Sequence, residues 1–201
     1  MRDYSQNGEQ AIILKFFENH GIIDTFLDIG AFNGVDMSNT MGLVKSGWCG
    51  VCLEPSKLAF EALQNTHRDK SHIRCMNLAL AKDTGTILLY DAGGDGASTT
   101  VEKLKTQWEN GACAKFTEVQ AQSISAKDLL KDVGEYHDFV NIDTEWTSAE
   151  NLFRLLEAGL DFNLLCVEHD DDPQGIIAKL PDGIVVHAQN SVNLFLEDRR
   201  A

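Results

Sequence analysis

The stretch TFLDIGAFNG, residues 25–34, joins a short apolar run to a glycine-rich turn. Residues 25–30 have the length and composition of a buried β-strand. Gly30 and Gly34 can adopt backbone dihedrals that other residues avoid, so they suit a turn that passes close to a ligand. Residues 8–19 carry apolar side chains at helical spacing. The pattern predicts a helix, then a buried strand that ends in a tight turn.

Strands and helices alternate along the rest of the chain. Apolar runs predict further strands at residues 48–53, 72–78, 86–90, 117–121, 139–143, 163–168, 184–187 and 192–195. Helices are predicted at 37–46, 56–65 (N-cap Ser56), 101–109, 125–130 and 147–159 (capping box 147–150). Residues 91–100 are predicted to form a mobile surface loop or a lid. The alternation predicts one α/β domain over residues 1–201, with a mainly parallel, twisted sheet, helices on both faces, and the helix of residues 1–21 packed on the core.

Composition and charge exclude several classes of protein. A chain of 201 residues can bury a core without disulfides or metals. The formal net charge of −14 disfavours nucleic acid and anionic membranes as partners. The apolar runs fall far short of the roughly 20 residues that span a bilayer, and the first residues do not resemble a signal peptide. Five scattered cysteines are typical of reduced thiols. We therefore predict a cytoplasmic protein.

Carboxylates directly follow several of the predicted buried strands. Glu54 follows the strand at 48–53. Asp143 ends the strand at 139–143, and Glu145 comes two residues later. Glu168 ends the strand at 163–168. Ligands of parallel sheets bind beyond the carboxyl ends of the strands. The sequence therefore predicts an acidic binding site at this edge of the sheet.

Gly30 and Glu54 together indicate a ligand with a ribose. Glu54 lies 24 residues after Gly30, where a carboxylate can accept hydrogen bonds from a ribose diol. The glycine pattern is G-x-x-x-G and lacks the middle glycine that a dinucleotide pyrophosphate needs. S-adenosylmethionine has a ribose, no phosphate, and two cationic groups that suit an acidic rim. The alternative is that these glycines only close turns of a doubly wound domain.

Seven motifs in order resemble the FkbM-type S-adenosylmethionine-dependent methyltransferases. They are YSQNGE at 4–9, FLDIGAFNG at 26–34, SNT at 38–40, GWCGVCLEP at 47–55, NLALA at 77–81, IDTE at 142–145 and CVEH at 166–169. The resemblance implies a Rossmann-like methyltransferase fold and O-methylation of a sugar hydroxyl or another small metabolite, so the partner is a small-molecule or glycan acceptor. It also implies a set of cofactor-binding residues: Asp28, Gly30, Ala31, Asn33, Gly34, Asn39, Glu54, Pro55, Ala79 and Asp143.

Methyl transfer to a hydroxyl needs a group that removes the hydroxyl proton. Asp143, Glu145 and His169 are the candidate catalytic residues, because they lie at adjacent strand ends. Asp143 and Glu145 could instead contact the cofactor or favour the start of the next helix. A divalent metal such as Mg²⁺ is an alternative way to activate the hydroxyl. The aspartates at 170–172 could bind it, or could form a solvated loop.

Two residues depart from the pattern of the family. Trp146 stands where family members usually have Gly, and Ser148 stands where they often have Glu. A tryptophan is large enough to line or block an acceptor pocket. A non-catalytic cofactor-binding module is therefore an alternative function. A nicotinamide-dependent oxidoreductase is a further alternative, which the glycine pattern disfavours.

Overall fold

The computed structural model describes residues 2–20, 24–94, 96–111 and 115–200. Gly21, predicted to end the first helix, and Cys113 lie outside this range. The helices are α1 (Glu9–His20), α2 (Met41–Lys45), α3 (Lys57–His67), α4 (Glu102–Asn110), α5 (Ala126–Val133), α6 (Ser148–Glu157) and α7 (Pro173–Ile177). The strands are β1 (Thr25–Ile29), β2 (Cys49–Leu53), β3 (Ile73–Met76), β4 (Ala79–Ala81), β5 (Gly85–Asp91), β6 (Thr117–Ser125), β7 (Tyr136–Ile142), β8 (Asp161–Glu168), β9 (Ile184–Gln189) and β10 (Asn193–Asp198).

The central sheet confirms the predicted α/β fold with a mostly parallel sheet. In the described part of the chain, its strand order is β3-β2-β1-β7-β8-β10-β9. The pairs from β3 to β8 are parallel, and β10 runs antiparallel to both β8 and β9. The order reverses direction between β1 and β7. Such a switch point opens a crevice at the carboxyl edge of the sheet, because the connections leave on opposite faces there.

Helices cover both faces of the sheet because successive strand residues point to opposite sides. In β1, Phe26 packs in one apolar cluster with Phe16 and Phe17 of α1, whereas Leu27 and Ile29 belong to a second cluster. Side chains from α5 and α6 fill that second cluster. Burial of each large apolar side chain contributes about 1.5–3 kcal/mol. Ile13, Phe16 and Phe17 of α1 thus lie in the buried cluster on one face of the sheet.

A smaller sheet lies apart from the central one, in the order β4-β6-β5. The strand predicted over residues 72–78 is present but shorter, because β3 ends at Met76 and the chain leaves the central sheet there. Asn77 turns inward at this break, and its side-chain amide donates to the carbonyl oxygens of Glu54 and Pro55 at 2.7 and 3.1 Å. The next residues then pair with β6 as β4.

Two predicted helix caps are not formed by the side chains expected to form them. The Ser56 hydroxyl donates to the carboxylate of Asp91 at 3.0 Å instead of capping α3. The Thr147 hydroxyl donates to the carbonyl of Thr144 at 2.8 Å, and Glu150 pairs with Arg154, so the capping box at 147–150 is absent. In both cases a tertiary or local partner competes with the cap.

The helix predicted over residues 37–46 is shorter in the structure, where α2 begins at Met41. Met37 has a left-handed φ of +56°, which is incompatible with a continuous right-handed helix. Among the described residues, no helix is both long enough and apolar enough to cross a membrane.

Candidate functional site

A cavity of about 290 Å³ opens at the carboxyl edge of the sheet, beside the switch point between β1 and β7. Its volume is near the lower end of the ~300–1,000 Å³ typical of small-molecule sites. Most of the predicted site residues line it: Asp28, Gly30, Ala31, Asn39, Glu54, Pro55, Ala79, Asp143 and Glu145. Asn33, Gly34 and His169 are not among the lining residues.

The turn after β1 forms the floor of the cavity. The backbone N–H groups of Gly30 and Ala31 both donate to the carbonyl of Leu53, at 3.0 and 2.9 Å. Gly30 has a φ of +88°, and a Cβ there would lie 1.7 Å from the carbonyl oxygen of Asp143. Glycine is therefore required because β7 passes against this turn, which is a different reason from the expected approach of a ligand.

Asn33 and Gly34 build this turn from outside the cavity. The Asn33 side chain accepts from the backbone N–H groups of Val35 and Asp36, both at 2.9 Å. A Cβ at Gly34 would lie 2.7 Å from side-chain atoms of Leu63 and His67 in α3. The structure therefore gives both residues a role in packing and in the shape of the turn.

Glu54 extends into the cavity from the end of β2 and is held in place by the backbone. One carboxylate oxygen accepts from the Phe32 N–H at 2.9 Å and the other from the Ser56 N–H at 2.8 Å. Each carboxylate oxygen has two lone pairs, so both can accept a further hydrogen bond. Burial raises the pKa of Glu54 to about 7, although the two N–H donors oppose that rise.

A buried hydrogen-bond chain connects the neighbouring strand ends. The Asp28 carboxylate accepts from the Thr40 hydroxyl at 2.6 Å and from the Asn141 amide at 2.9 Å. Asn141 in turn accepts from the Asn39 amide at 2.9 Å. The Oδ1 atom of Asn39 is buried and has no partner among the described residues. Burial raises the pKa of Asp28 against these donors. The cavity wall therefore retains one acceptor that is not satisfied by the protein.

An apolar wall faces the turn on the side of the smaller sheet. Leu78, Ala79, Leu80 and Leu89 contribute to it, and Ala79 and Leu89 are almost fully buried. A flat ligand group without charge can pack against such a surface, because burying apolar area is favourable by about 25 cal/mol per Å².

Carboxylates crowd the opposite end of the cavity, where β7 and β8 end. Glu168 is in hydrogen-bond contact with Asp143 and with Asp170. Burial and then the charge of Asp143 raise the pKa of Glu168 well above its usual range, and burial also raises the pKa of Asp143. The neighbouring carboxylates and burial therefore favour the protonated form of Glu168.

The loop after β7 carries Glu145 and Trp146, both with a left-handed φ, of +47° and +71°. The Trp146 N–H donates to the carboxylate of Asp170 at 3.0 Å, which links this loop to the one after β8. The Trp146 side chain is 46% exposed and is not among the lining residues. It therefore does not block the cavity, contrary to one expectation from the sequence.

His169 and the aspartates that follow it have other places in the structure. His169 is buried, and neither of its ring nitrogens has a partner among the described residues. Asp172 accepts from the Gly175 N–H at 2.9 Å and so begins α7, whereas Asp170 accepts from Trp146. The three aspartates therefore do not converge. Among the described residues, no group of three or more His, Cys, Asp or Glu side chains is arranged to hold a metal ion.

The sequence reasoning missed several lining residues. Asn141 interrupts the apolar run of β7, and this polar residue was the available signal. The segment predicted as a loop or lid contributes Gly96, Ser98, Thr99 and Thr100 to the wall. The Thr99 hydroxyl donates to the carbonyl of Glu145 at 3.0 Å, so this segment reaches the loop after β7. Asp95 lies outside the described residues.

Comparison with known proteins supports the Rossmann-like fold of methyltransferases. No family model and no curated protein matches the chain significantly. Solved structures do resemble it. The protein yhhF from Escherichia coli, named as a proposed methyltransferase, is similar with a TM-score of 0.55 and 12% identity, over 98% of this chain and 88% of that one.

Two further structures have comparable likeness. A proposed caffeoyl-CoA O-methyltransferase from Staphylococcus aureus gives a TM-score of 0.57 at 9% identity, over 98% of this chain and 86% of that one. A precorrin-6y C5,15-methyltransferase from Geobacter metallireducens gives 0.52 at 11% identity, over 96% and 87%. The chain therefore has the α/β fold of this class, with the cavity at the switch point of the sheet.

Proposed function

We propose that the protein is an S-adenosylmethionine-dependent methyltransferase. The observation that carries the proposal is the Glu54 carboxylate, which faces the cavity beside the Gly30 turn with acceptor capacity to spare. A ribose diol supplies two donors for such a carboxylate. The fold of the structural neighbours agrees with this class.

The residues of the cavity fit the chemistry of this cofactor. Glu54 would hold the ribose, the wall of Leu78, Ala79 and Leu80 would pack against the adenine, and Asp28 with the Gly30 turn would lie toward the amino acid moiety. When bound, S-adenosylmethionine supplies a methyl group that is already activated by its sulfonium.

The acceptor would bind at the end of the cavity formed by β7 and β8. Asp143 and Glu145 line that end, and a carboxylate there can take the proton of an acceptor hydroxyl. Burial raises the pKa of Asp143, which makes it a stronger base when ionised. We therefore assign proton removal to Asp143 or Glu145, with His169 outside the site. O-methylation of a sugar hydroxyl or another small metabolite, as in the FkbM-type enzymes, is the reaction that we propose.

The charge of the cavity lining and the state of the cysteines support proposals about the binding partners and the cellular compartment. The cavity lining contains no Lys, Arg or His among the described residues, which disfavours nucleic acid and phosphorylated acceptors. Cys49, Cys52, Cys75 and Cys166 are free thiols. That supports our proposal of a reducing, cytoplasmic compartment.

Isothermal titration calorimetry with S-adenosylhomocysteine and with NAD⁺ tests the proposal. We expect S-adenosylhomocysteine to bind one to one with a micromolar dissociation constant and NAD⁺ to give no comparable heat, because the turn after β1 lacks the glycine pattern for a pyrophosphate. Binding of NAD⁺ alone would favour the oxidoreductase alternative. Absence of binding by both ligands would overturn the assignment to a nucleoside-binding enzyme.

A further inference from the structure

We propose that the acceptor carries a protonated amino group, which the carboxylates at the ends of β7 and β8 hold. This inference rests on the proposed methyltransferase function and names the class of substrate for that same cavity. An amine-bearing sugar or a similar amine-bearing polyol satisfies both proposals, since its hydroxyl accepts the methyl group and its ammonium binds the carboxylates.

The first observation is the charge of the lining. Six carboxyl side chains line the cavity, and no Lys, Arg or His accompanies them among the described residues: Asp28, Asp36, Glu54, Asp143, Glu145 and Glu168. Charges interact more strongly in a cavity that largely excludes water than they do in bulk solvent. An anionic acceptor would be repelled from this surface, and a cationic acceptor would be attracted to it.

The second observation is how the carboxylates divide between the two ends of the cavity. Asp28 and Glu54 already have fixed donors, from Thr40 and Asn141 and from the backbone. At the other end, Asp143 and Glu168 line the cavity, and Glu168 is in hydrogen-bond contact with both Asp143 and Asp170. No Lys or Arg of the described residues forms a salt bridge with any of these three. With S-adenosylmethionine at the Glu54 end, as proposed above, the end formed by β7 and β8 is available to the acceptor.

The third observation is independent of charge. Asn39 is 6% exposed and lines the cavity, and its Oδ1 atom has no donor among the described residues. A buried carbonyl oxygen without a partner is destabilising, so a ligand that donates a hydrogen bond there is favoured. An ammonium group has three donors and no acceptor, which complements walls that offer mostly acceptors.

Trp146 is half-exposed and lies in the same loop as Glu145, which lines the cavity. The backbone N–H of Trp146 donates a hydrogen bond to the Asp170 carboxylate, and Glu145 is the residue before Trp146 in the chain. Tryptophan faces attract ammonium cations, and they also pack against sugar rings. Trp146 therefore suits an acceptor that combines a cation with an apolar ring face.

Ligand-observed saturation-transfer NMR tests the inference with three related probes. Glucosamine carries the ammonium, N-acetylglucosamine has the same ring with the amine neutralised, and glucose 6-phosphate is an anion. The protein is first saturated with S-adenosylhomocysteine, and EDTA removes divalent metals. We expect glucosamine to bind at least about tenfold more tightly than either other probe, a factor that corresponds to about 1.4 kcal/mol.

Two variants test whether the preference for glucosamine comes from the carboxylates of the cavity. Glu145→Gln removes a lining carboxylate, and we expect it to reduce the preference for glucosamine about tenfold or more. Glu157→Gln makes the same change at an exposed residue at the end of α6 and is expected to leave the preference unchanged. Equal or weaker binding of glucosamine, including no binding, in protein that does bind S-adenosylhomocysteine would overturn this inference alone. Failure to bind S-adenosylhomocysteine would instead overturn the proposed function and this inference with it.

Discussion

The two ends of the cavity use buried carboxylates in different ways. At the end of β2, Glu54 has a backbone N–H donor on each oxygen, so its carboxyl group is held in a fixed position. At the ends of β7 and β8, Glu168 contacts both Asp143 and Asp170, and the pKa of each of the three is raised by burial. The first arrangement is set by local backbone and suits one invariant ligand group. The charge of the second group depends on protonation and on bound cations, so this group suits an acceptor that carries a positive charge.

The largest expected effect concerns the turn that supports both ends. Gly30→Ala places a Cβ 1.7 Å from the carbonyl oxygen of Asp143, at a φ of +88°. Gly47→Ala is a matched control, since Gly47 has a φ of +90° and nothing within 4 Å of the added carbon. We expect Gly47→Ala to cost about 1–2 kcal/mol of unfolding free energy and Gly30→Ala to cost several kcal/mol more. Denaturant unfolding measures both, and equal losses would contradict the close packing of β7 on this turn.

The next effect tests the Glu54 end. Glu54→Ala should weaken S-adenosylmethionine binding by about 1–3 kcal/mol, since hydrogen bonds to a charged carboxylate are lost. Glu61→Ala, an equivalent deletion on the exposed face of α3, should leave the affinity unchanged. Calorimetry on both variants gives the difference. Unchanged affinity in Glu54→Ala would show that the ribose does not bind this carboxylate.

A smaller effect follows from the pKa of Glu54, which burial raises to about 7. Ribose hydroxyls donate to the ionised form, so ligand binding releases a proton when the pH is near or below this pKa. Affinity for S-adenosylhomocysteine should therefore rise about tenfold from pH 6 to pH 8, as the ionised fraction grows. Titrations in that range measure the slope. Glu54→Gln should show a flatter dependence, and an equally steep profile in that variant would assign the proton to another group.

The smallest effect concerns His169, which the structure places outside the cavity lining. Its ring is buried and neither nitrogen has a partner among the described residues. His169→Phe keeps a planar ring of similar size, so we expect the affinity for S-adenosylhomocysteine to change less than about twofold. A loss of tenfold or more without unfolding would return His169 to the candidate site.

The parts of the site that the sequence predicted are those determined locally. The apolar run of β1 predicted the strand and the turn after it, and the position of Glu54 directly after β2 predicted that it lies at the carboxyl edge of the sheet. The contact between Asn39 and Asn141 joins residues 102 positions apart and could not be predicted from either sequence segment. The cluster of Asp143 and Glu168 likewise exists only because β7 and β8 pair in one register.

Local signals failed where a tertiary partner was stronger. Ser56 and Thr147 have the right residue type for helix caps, but Asp91 and Thr144 take their hydroxyls. Gly30 was correctly singled out as a residue without a side chain, but its neighbour is the backbone of Asp143. Residue type therefore identified which positions matter, and tertiary packing determined which residues they contact.

The central claim is that the Glu54 carboxylate binds the ribose of S-adenosylmethionine. A crystal structure of the complex with S-adenosylhomocysteine measures this contact directly. We expect both ribose hydroxyls within about 2.5–3.2 Å of the Glu54 oxygens, with the adenine against Ala79. A complex in which the ribose lies away from Glu54, or in which the ligand occupies another part of the molecule, would contradict it.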